Sequence, residues 1–236
     1  MGAGPAVAVA LAAEVPVEAG KTPHWAHVFM KDKDFERVSF AVAKAEHTTT
    51  GEIVPMIVRR SSAIGHVVII LSLLILALAL TLDFDQLETF DFVDSHWVVL
   101  GFAVVSFGLA LGLARIPTLQ RWFTMPADLL FQVERRAELE FHRKGLGATK
   151  GKTGVLLFVS LMERRAVVLA DESIAKKLPK NTWDEICKLM VSGIHQGLPA
   201  EGMISAIQRS GELLSKEFPA HGENPNELSN QLILKE

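Results

Sequence analysis

The chain has 236 residues, a formal net charge of −3 and a hydrophobic fraction of 49%. This length allows one ordinary domain with additional segments, and the near-neutral charge, without interleaved basic and aromatic residues, indicates no nucleic-acid partner. The single cysteine, Cys187, excludes an intramolecular disulfide framework.

Residues 1–31 are predicted to be a flexible tail. The segment is rich in alanine and valine, as secretory signals are, but it begins without a basic region. Pro5 and Glu14 also interrupt its apolar run, so it does not match a signal peptide.

Residues 32–62 are predicted to begin a folded domain. Asp34 is expected to cap a helix that continues to about Glu46 and carries apolar residues on one face. The apolar run from Glu52 to Val58 then indicates a β-strand.

Two uncharged apolar segments follow, at 64–82 and 98–114. As a helix, the first would be about 28 Å long, close to the hydrocarbon thickness of a bilayer. The segment has no polar face, which favours a transmembrane hairpin over a helical hairpin buried in a soluble core.

The loop at 83–97 indicates the orientation of this hairpin. It contains five acidic residues and neither lysine nor arginine, whereas Arg59, Arg60, Arg115 and Arg121 flank the two apolar segments on their outer sides. The positive-inside rule therefore predicts an external loop and two cytoplasmic termini.

Residues 118–220 are predicted to resume the domain, and 221–236 to form a polar tail. The expected elements are a helix from Thr124 and Pro126 to Gly145, strands at Gly154–Ser160 and Arg165–Ala170, a helix opened by a capping box at Thr182, and a helix from Pro199 to Phe218. This order predicts an α/β sandwich with a small mixed sheet, interrupted by the two-helix transmembrane hairpin.

A parallel first pair of strands would gather acidic residues at the sheet edge away from the membrane. Glu52, Asp171 and Glu172 are the candidates there for binding a metal ion or a phosphorylated ligand, with Lys150 or Lys152 nearby. Carboxylate oxygens suit Ca²⁺ or Mg²⁺, and surface acids at strand ends are the alternative interpretation.

The opposite edge would carry arginines. Arg59 and Arg60 follow the first strand, and Arg164 and Arg165 lie in the turn before the third. We expect these four residues to face anionic lipid headgroups, and a solvated turn is the alternative interpretation.

Several stretches together resemble the TPM-domain family, also called the TPM phosphatase family. They are Thr50-Gly51-Glu52-Ile53-Val54, the strand Gly154–Ser160, Glu163-Arg164-Arg165, Ala170-Asp171 and the region Gly197–Ile207. The resemblance covers about 34–219 apart from the apolar insert. It implies the bacterial membrane branch of the family, hence a multi-pass protein of the bacterial inner membrane.

The expected function is a membrane-anchored module that binds or assembles membrane-protein complexes, with Ca²⁺ or Mg²⁺ as the expected metal if the module is metal-dependent. The alternative implied by the family name is a metal-dependent phosphomonoester hydrolase. No catalytic residue or other cofactor site is assigned, because no nucleophile motif is present and Cys187 has no histidine partner that the sequence identifies. The expected partners are the lipid bilayer and other membrane proteins.

Overall fold

The computed structural model describes residues 23–62, 65–81, 95–116, 118–119, 126–149, 151–178, 180–220 and 227–236. Within these residues the chain forms seven α-helices and one mixed sheet of four strands. The helices are α1 (Asp32–Glu46), α2 (Gly65–Thr81), α3 (Ser95–Leu113), α4 (Pro126–Arg143), α5 (Glu172–Lys177), α6 (Lys180–His195) and α7 (Pro199–Glu217). The strands are β1 (Glu52–Val58), β2 (Gly154–Ser160), β3 (Arg165–Ala170) and β4 (Ile233–Lys235).

The sheet has the strand order β3-β2-β1-β4. Strands β1 and β2 are parallel, with Glu52 opposite Gly154 and Val58 opposite Ser160. Strand β3 runs antiparallel to β2, so the predicted small mixed sheet is confirmed. Every residue of β1 and β2 is buried, because helices cover both faces of the sheet.

Two layers of helices enclose the sheet. Helices α1, α6 and α7 pack on one face, where Val42, Ile57 and Met203 belong to the same buried cluster. Helix α4 covers the other face through Val133, Ala137 and Phe141. Their spacing of four residues places these three side chains on one side of the helix, against the sheet.

Helices α6 and α7 approach each other closely at a pair of glycines. A Cβ atom added to Gly202 would lie 2.9 Å from the Cα atom of Gly193 and 2.9 Å from the carbonyl oxygen of Leu189. Real side chains do not tolerate such contacts with backbone atoms, so the crossing depends on both glycines.

The two segments expected to be tails contribute to the fold where they are described. Trp25, Ala26 and Met30 are buried against the core, around a short 3₁₀ helix at Ala26–Val28. Residues 233–235 form β4, which pairs in parallel with β1. A strand of three residues is too short for its apolar pattern to be recognised in the sequence.

Two predicted helix starts were wrong by three residues, because a cap immediately precedes the first helical residue. Helix α1 begins at Asp32, and Asp34 lies in its first turn, where its carboxylate accepts a hydrogen bond from the Lys31 backbone N–H at 2.9 Å. Helix α6 begins at Lys180, so Thr182 lies inside the helix and does not cap it. In both cases a side chain typical of a cap occupies the first turn instead.

Helices α2 and α3 contact each other through a small apolar cluster. Val67 and Leu71 of α2 are buried against Ala110 and Ala114, at and just beyond the end of α3. Large apolar side chains elsewhere on the pair are exposed: Ile69, Ile70, Leu73, Leu74, Leu78, Trp97, Leu100, Val104, Val105, Phe107, Leu109, Leu111 and Leu113. Among the described residues, none of the helices combines the length and the apolar character needed to cross a membrane. The transmembrane hairpin is therefore not supported, and the acidic residues of the loop at 83–94 lie outside the described residues.

Candidate functional site

The predicted acidic edge of the sheet is assembled around the first residue of β2. Glu52 on β1 is the register partner of Gly154, and the Asp171 backbone N–H donates to the Gly154 carbonyl oxygen at 2.9 Å. The two acids thus occupy strand positions on either side of Gly154. With neighbouring strands about 4.8 Å apart, their Cα atoms are separated by about 10 Å.

Glu52 already binds backbone groups of the C-terminal segment. Its carboxylate accepts hydrogen bonds from the N–H groups of Glu227 at 3.4 Å and Leu228 at 3.2 Å. Burial raises the pKa of Glu52, and the two N–H donors oppose that shift. Glu52 therefore holds the segment that leads to β4. No sequence pattern signals this role, because the partners are about 175 residues away.

Asp171 and Glu172 also have local partners. Oδ1 of Asp171 accepts the Glu172 N–H at 2.6 Å and caps α5. Oδ2 of Asp171 is buried and has no hydrogen-bond partner among the described residues. Glu172 is exposed and pairs with Lys176 at 2.7 Å; the hydrogen bond and the charge of Lys176, and then the charge of Lys152, lower its pKa.

Lys152 is close enough for its charge to act on Glu172, and Lys150 lies outside the described residues. Across the part of the chain that the structure describes, no group of three or more His, Cys, Asp or Glu side chains is arranged to hold a metal ion.

A second buried acid, Glu46, lies beside Glu52 and was not predicted as a site residue. Its Oε1 atom accepts the Ile53 N–H at 2.7 Å. Burial raises the pKa of Glu46 to about 8, and the charge of Glu52 adds to this, while the Ile53 N–H and the Asn230 side chain oppose it. At neutral pH this carboxyl group holds a proton inside the fold. Its position four residues after Val42, on the apolar face of α1, is the sequence signal that could have revealed it.

The arginines expected at the opposite edge are found there. Arg59 and Arg60 follow β1 and are exposed. The Arg59 N–H donates to the Lys235 carbonyl oxygen at 2.9 Å, and its own carbonyl oxygen accepts the Met162 N–H at 3.1 Å. Arg164 and Arg165 lie at the β2–β3 turn, where Arg164 has a positive φ of 51°.

Glu163, the residue before Arg164, fastens this turn to the entrance of the hairpin. Its buried carboxylate accepts hydrogen bonds from the backbone N–H groups of Ser61 and Ser62, at 3.2 Å and 2.9 Å. The hydroxyl groups of Ser62, at 2.6 Å, and of Ser160 donate to it as well. One carboxylate thus fixes the chain just before it enters α2 against the ends of β1 and β2.

Another buried carboxylate, Glu140, holds β4 in place. It is fully buried on α4 and binds Nζ of Lys235 at 2.7 Å and Nε of Arg136 at 3.1 Å. Because Lys235 belongs to β4, this ion pair joins the last strand to the helix that covers the sheet.

Comparisons with known proteins agree with this fold. A family model described as TPM domain matches residues 123–213. The matched stretch is narrower than the expected 34–219. A solved structure, the NMR structure of BA42 protein from the psychrophilic bacterium Bizionia argentinensis, is similar with a TM-score of 0.54 and 18% identity. That match covers 87% of this chain and 95% of the other, and it concerns the fold alone. Among curated proteins, no relative matches this chain.

Proposed function

We propose that this protein is a membrane-anchored binding module, whose α2–α3 hairpin inserts into a lipid bilayer and holds the α/β domain at its surface. The observation that carries the proposal is the outer surface of α2 and α3. Scattered exposed apolar residues are ordinary on a soluble protein, but contiguous apolar surfaces mark sites that bind membranes or other proteins. Here exposed leucine, isoleucine, valine and aromatic side chains cover two adjacent helices that contain no Lys, Arg, Asp or Glu.

The attachment of the hairpin to the domain supports the same proposal. Through Ser61 and Ser62, Glu163 ties the entrance of α2 to the sheet edge that carries Arg59, Arg60 and Arg164. A hairpin in lipid would therefore bring these arginines close to the headgroups. Each basic residue near an anionic surface contributes about 1 kcal/mol to membrane binding.

The proposed location is the bacterial inner membrane, with both termini cytoplasmic. The arginines that flank the hairpin and the acidic residues of the loop at 83–94 support this orientation. In that arrangement the acidic edge of the sheet faces away from the bilayer and is free to meet other membrane proteins and their assembly intermediates.

In the metal-dependent form of this proposal, the acidic edge of the sheet binds a divalent cation, Ca²⁺ or Mg²⁺. Asp171 offers one carboxylate oxygen without a hydrogen-bond partner among the described residues, whereas Glu52 and Glu172 would have to exchange present partners for the ion. An ion bound only by the folded state, at a hundred times its Kd, stabilises that state by about 2.7 kcal/mol. If the ion stabilised the wild type and Asp171→Asn equally, this metal-dependent part of the proposal would be refuted.

Insertion can be tested with single cysteines in a Cys187→Ala background. A lipid-sensitive fluorophore at Leu74 or Val104 should be quenched by spin-labelled lipids after reconstitution, because both side chains are exposed on the hairpin. The matched control is Phe40, a similarly exposed side chain on α1, which should not be quenched. Equal quenching at Leu74 and Phe40 would contradict insertion of the hairpin. A label at Asp85 then distinguishes a hairpin that crosses the bilayer from one that enters and leaves on the same side.

The assembly role is tested in native membranes. Removing the chain should lower the amount of at least one membrane-protein complex resolved by native electrophoresis, and restoring the full chain should recover it. Unchanged complexes would contradict that role. If the purified protein also released phosphate from a phosphomonoester, and Asp171→Asn abolished the release, the hydrolase would become the better assignment.

A further inference from the structure

A cleft of about 520 Å³ opens beside the β2–β3 turn. Arg164 and Arg165 line it on the sheet side, Leu130 lines it on α4, and Lys188 and His195 line it on α6. The cleft is therefore at the arginine edge of the sheet, next to Glu163, whose carboxylate binds Ser61 and Ser62 before the hairpin. It is separate from the acidic edge that the sequence singled out.

The basic side chains of this cleft form no ion pairs in the described ranges, although the charge of Asp184 reaches Cys187 at the cleft wall. No acidic residue is among the residues that line it. Arg164, Arg165 and Lys188 form no ion pair with any carboxylate in the described ranges, whereas some basic residues elsewhere do: Arg37 with Glu201, Arg209 with Glu185 and Lys235 with Glu140. Positive charge that is held in no ion pair and clustered in a concave site attracts an anion.

The backbone of the turn holds one of these arginines in an unusual conformation. Arg164 has a φ of 51°, which is uncommon for a residue with a long side chain. The Arg164 N–H donates to the Leu161 carbonyl oxygen at 3.3 Å, and the hydrogen-bonded carboxylate of the preceding Glu163 fixes the turn from the other side. The turn therefore fixes the backbone position from which the Arg164 side chain projects.

The remaining lining residues indicate the kind of anion. Planar guanidinium groups match the oxygen atoms of phosphate, and the lysine adds a point charge. Gln196 Nε2 donates to Ser192 Oγ at 2.8 Å, so the Ser192 hydroxyl proton is available to donate into the cleft. Leu130 and Val191 add an apolar wall that suits an organic group attached to the phosphate.

The cysteine in the cleft does not suit a phosphoryl-transfer nucleophile. Cys187 is half-buried and lines the cavity, and burial raises its pKa to about 11. The group is therefore a thiol at neutral pH, whereas nucleophilic attack needs the thiolate. The arrangement suits binding of a phosphate group without its cleavage.

We propose that this cleft binds a phosphate-bearing anion through Arg164, Arg165, Lys188 and His195. The phosphate belongs either to an anionic lipid headgroup or to a small soluble compound. Only the lipid source rests on the proposed membrane anchoring, because the cleft and its charges do not depend on where the hairpin lies.

The test is calorimetric titration of the full chain in a non-ionic detergent. The probes are inorganic phosphate and dihexanoyl phosphatidic acid, and dihexanoyl phosphatidylcholine serves as the zwitterionic control. Saturable binding of phosphate alone, or of both anions with similar Kd, supports a soluble ligand. Phosphatidic acid binding tighter than phosphate by about tenfold or more supports a headgroup. Absence of saturable binding of either anion would overturn the proposal.

Matched variants connect the binding to the cleft. The double variant Arg165→Gln, Lys188→Gln should raise the Kd for the anion by about tenfold or more, because it removes two positive charges and one planar guanidinium group. The variant Lys33→Gln, Lys44→Gln removes two charges from the exposed surface of α1 and should leave the Kd almost unchanged. Equal weakening by both would refute a defined site.

A conservative variant guards against a folding artefact. Arg165→Lys keeps the positive charge and loses the planar guanidinium group, so its Kd should lie between those of wild type and the double variant. Because the phosphate titration needs no bilayer, a failure of hairpin insertion would leave its expected result unchanged. The two proposals can therefore fail separately.

Discussion

Replacing Glu46 by glutamine should change how the stability of the domain depends on pH. The Glu46 carboxyl group is 8% exposed, and burial raises its pKa to about 8 from the ordinary value of 4.5. The folded state therefore holds this proton more tightly than the unfolded state does. The associated stability is fully present below pH 4.5 and is lost as the pH rises to about 8.

The magnitude follows from the separation of the two pKa values. Between them the free energy of unfolding falls by about 1.4 kcal/mol per pH unit. From pH 5 to pH 7 the wild type should thus lose about 2.5 kcal/mol through this group. Glutamine at position 46 keeps an oxygen for the Ile53 N–H and does not titrate, so Glu46→Gln should lack this loss.

The assay is urea unfolding of the full chain in a non-ionic detergent at pH 5, 6, 7 and 8. Tryptophan fluorescence is a suitable signal because Trp25 is buried in the core. Glu36→Gln on the same helix is the matched control, since Glu36 is exposed and its replacement should follow the wild type. If the curves of Glu46→Gln and wild type stay parallel from pH 5 to pH 8, the reasoning about this buried proton is refuted.

Three further replacements should lower the free energy of unfolding in the same assay at fixed pH. Glu163→Gln should cost about 2 kcal/mol, because one amide oxygen cannot accept the hydrogen bonds that two carboxylate oxygens now accept. Lys235→Met should cost about 2 kcal/mol, because it leaves the buried Glu140 with only arginine partners on its own helix. Gly202→Ala should cost about 2 kcal/mol, because its Cβ atom would lie 2.9 Å from the Gly193 Cα atom.

Each of these replacements has its own control. Glu212→Gln removes an exposed carboxylate, Lys216→Met removes an exposed lysine, and Gly147→Ala adds a Cβ that meets only a phenylalanine carbon at 3.6 Å. We expect changes below about 0.5 kcal/mol from all three. A replacement that costs no more than its control would show that the contact contributes nothing to stability.

The sequence predicts the fold where local patterns extend over many residues. The apolar runs of β1 and β2 and the periodic faces of α4 and α7 are long enough to indicate strand or helix without further information. The parallel pairing of β1 and β2 also follows, because a long connection joins them. Short elements such as α5 and β4 have no pattern of sufficient length.

The chemistry of the site depends on pairings that no sequence pattern reveals. The sequence predicts Glu52 as a candidate ligand at the acidic edge, and in the structure residues 227–228 bind its carboxylate from the far end of the chain. Lys188 and His195 look like ordinary helix-surface residues until the turn at Arg164 approaches them. The positions of charges along a chain do not specify which of them will meet.

The sequence by itself therefore determined strands β1, β2 and β3, the long helices, the apolar hairpin and the sorting of acids and arginines onto opposite edges of the sheet, because backbone periodicity and strand direction are local properties. Only the tertiary structure decided which carboxylates are buried, which backbone groups they bind and where basic residues are left without partners. Burial and pairing depend on contacts between residues far apart in the chain, and these exist only once the layers have packed.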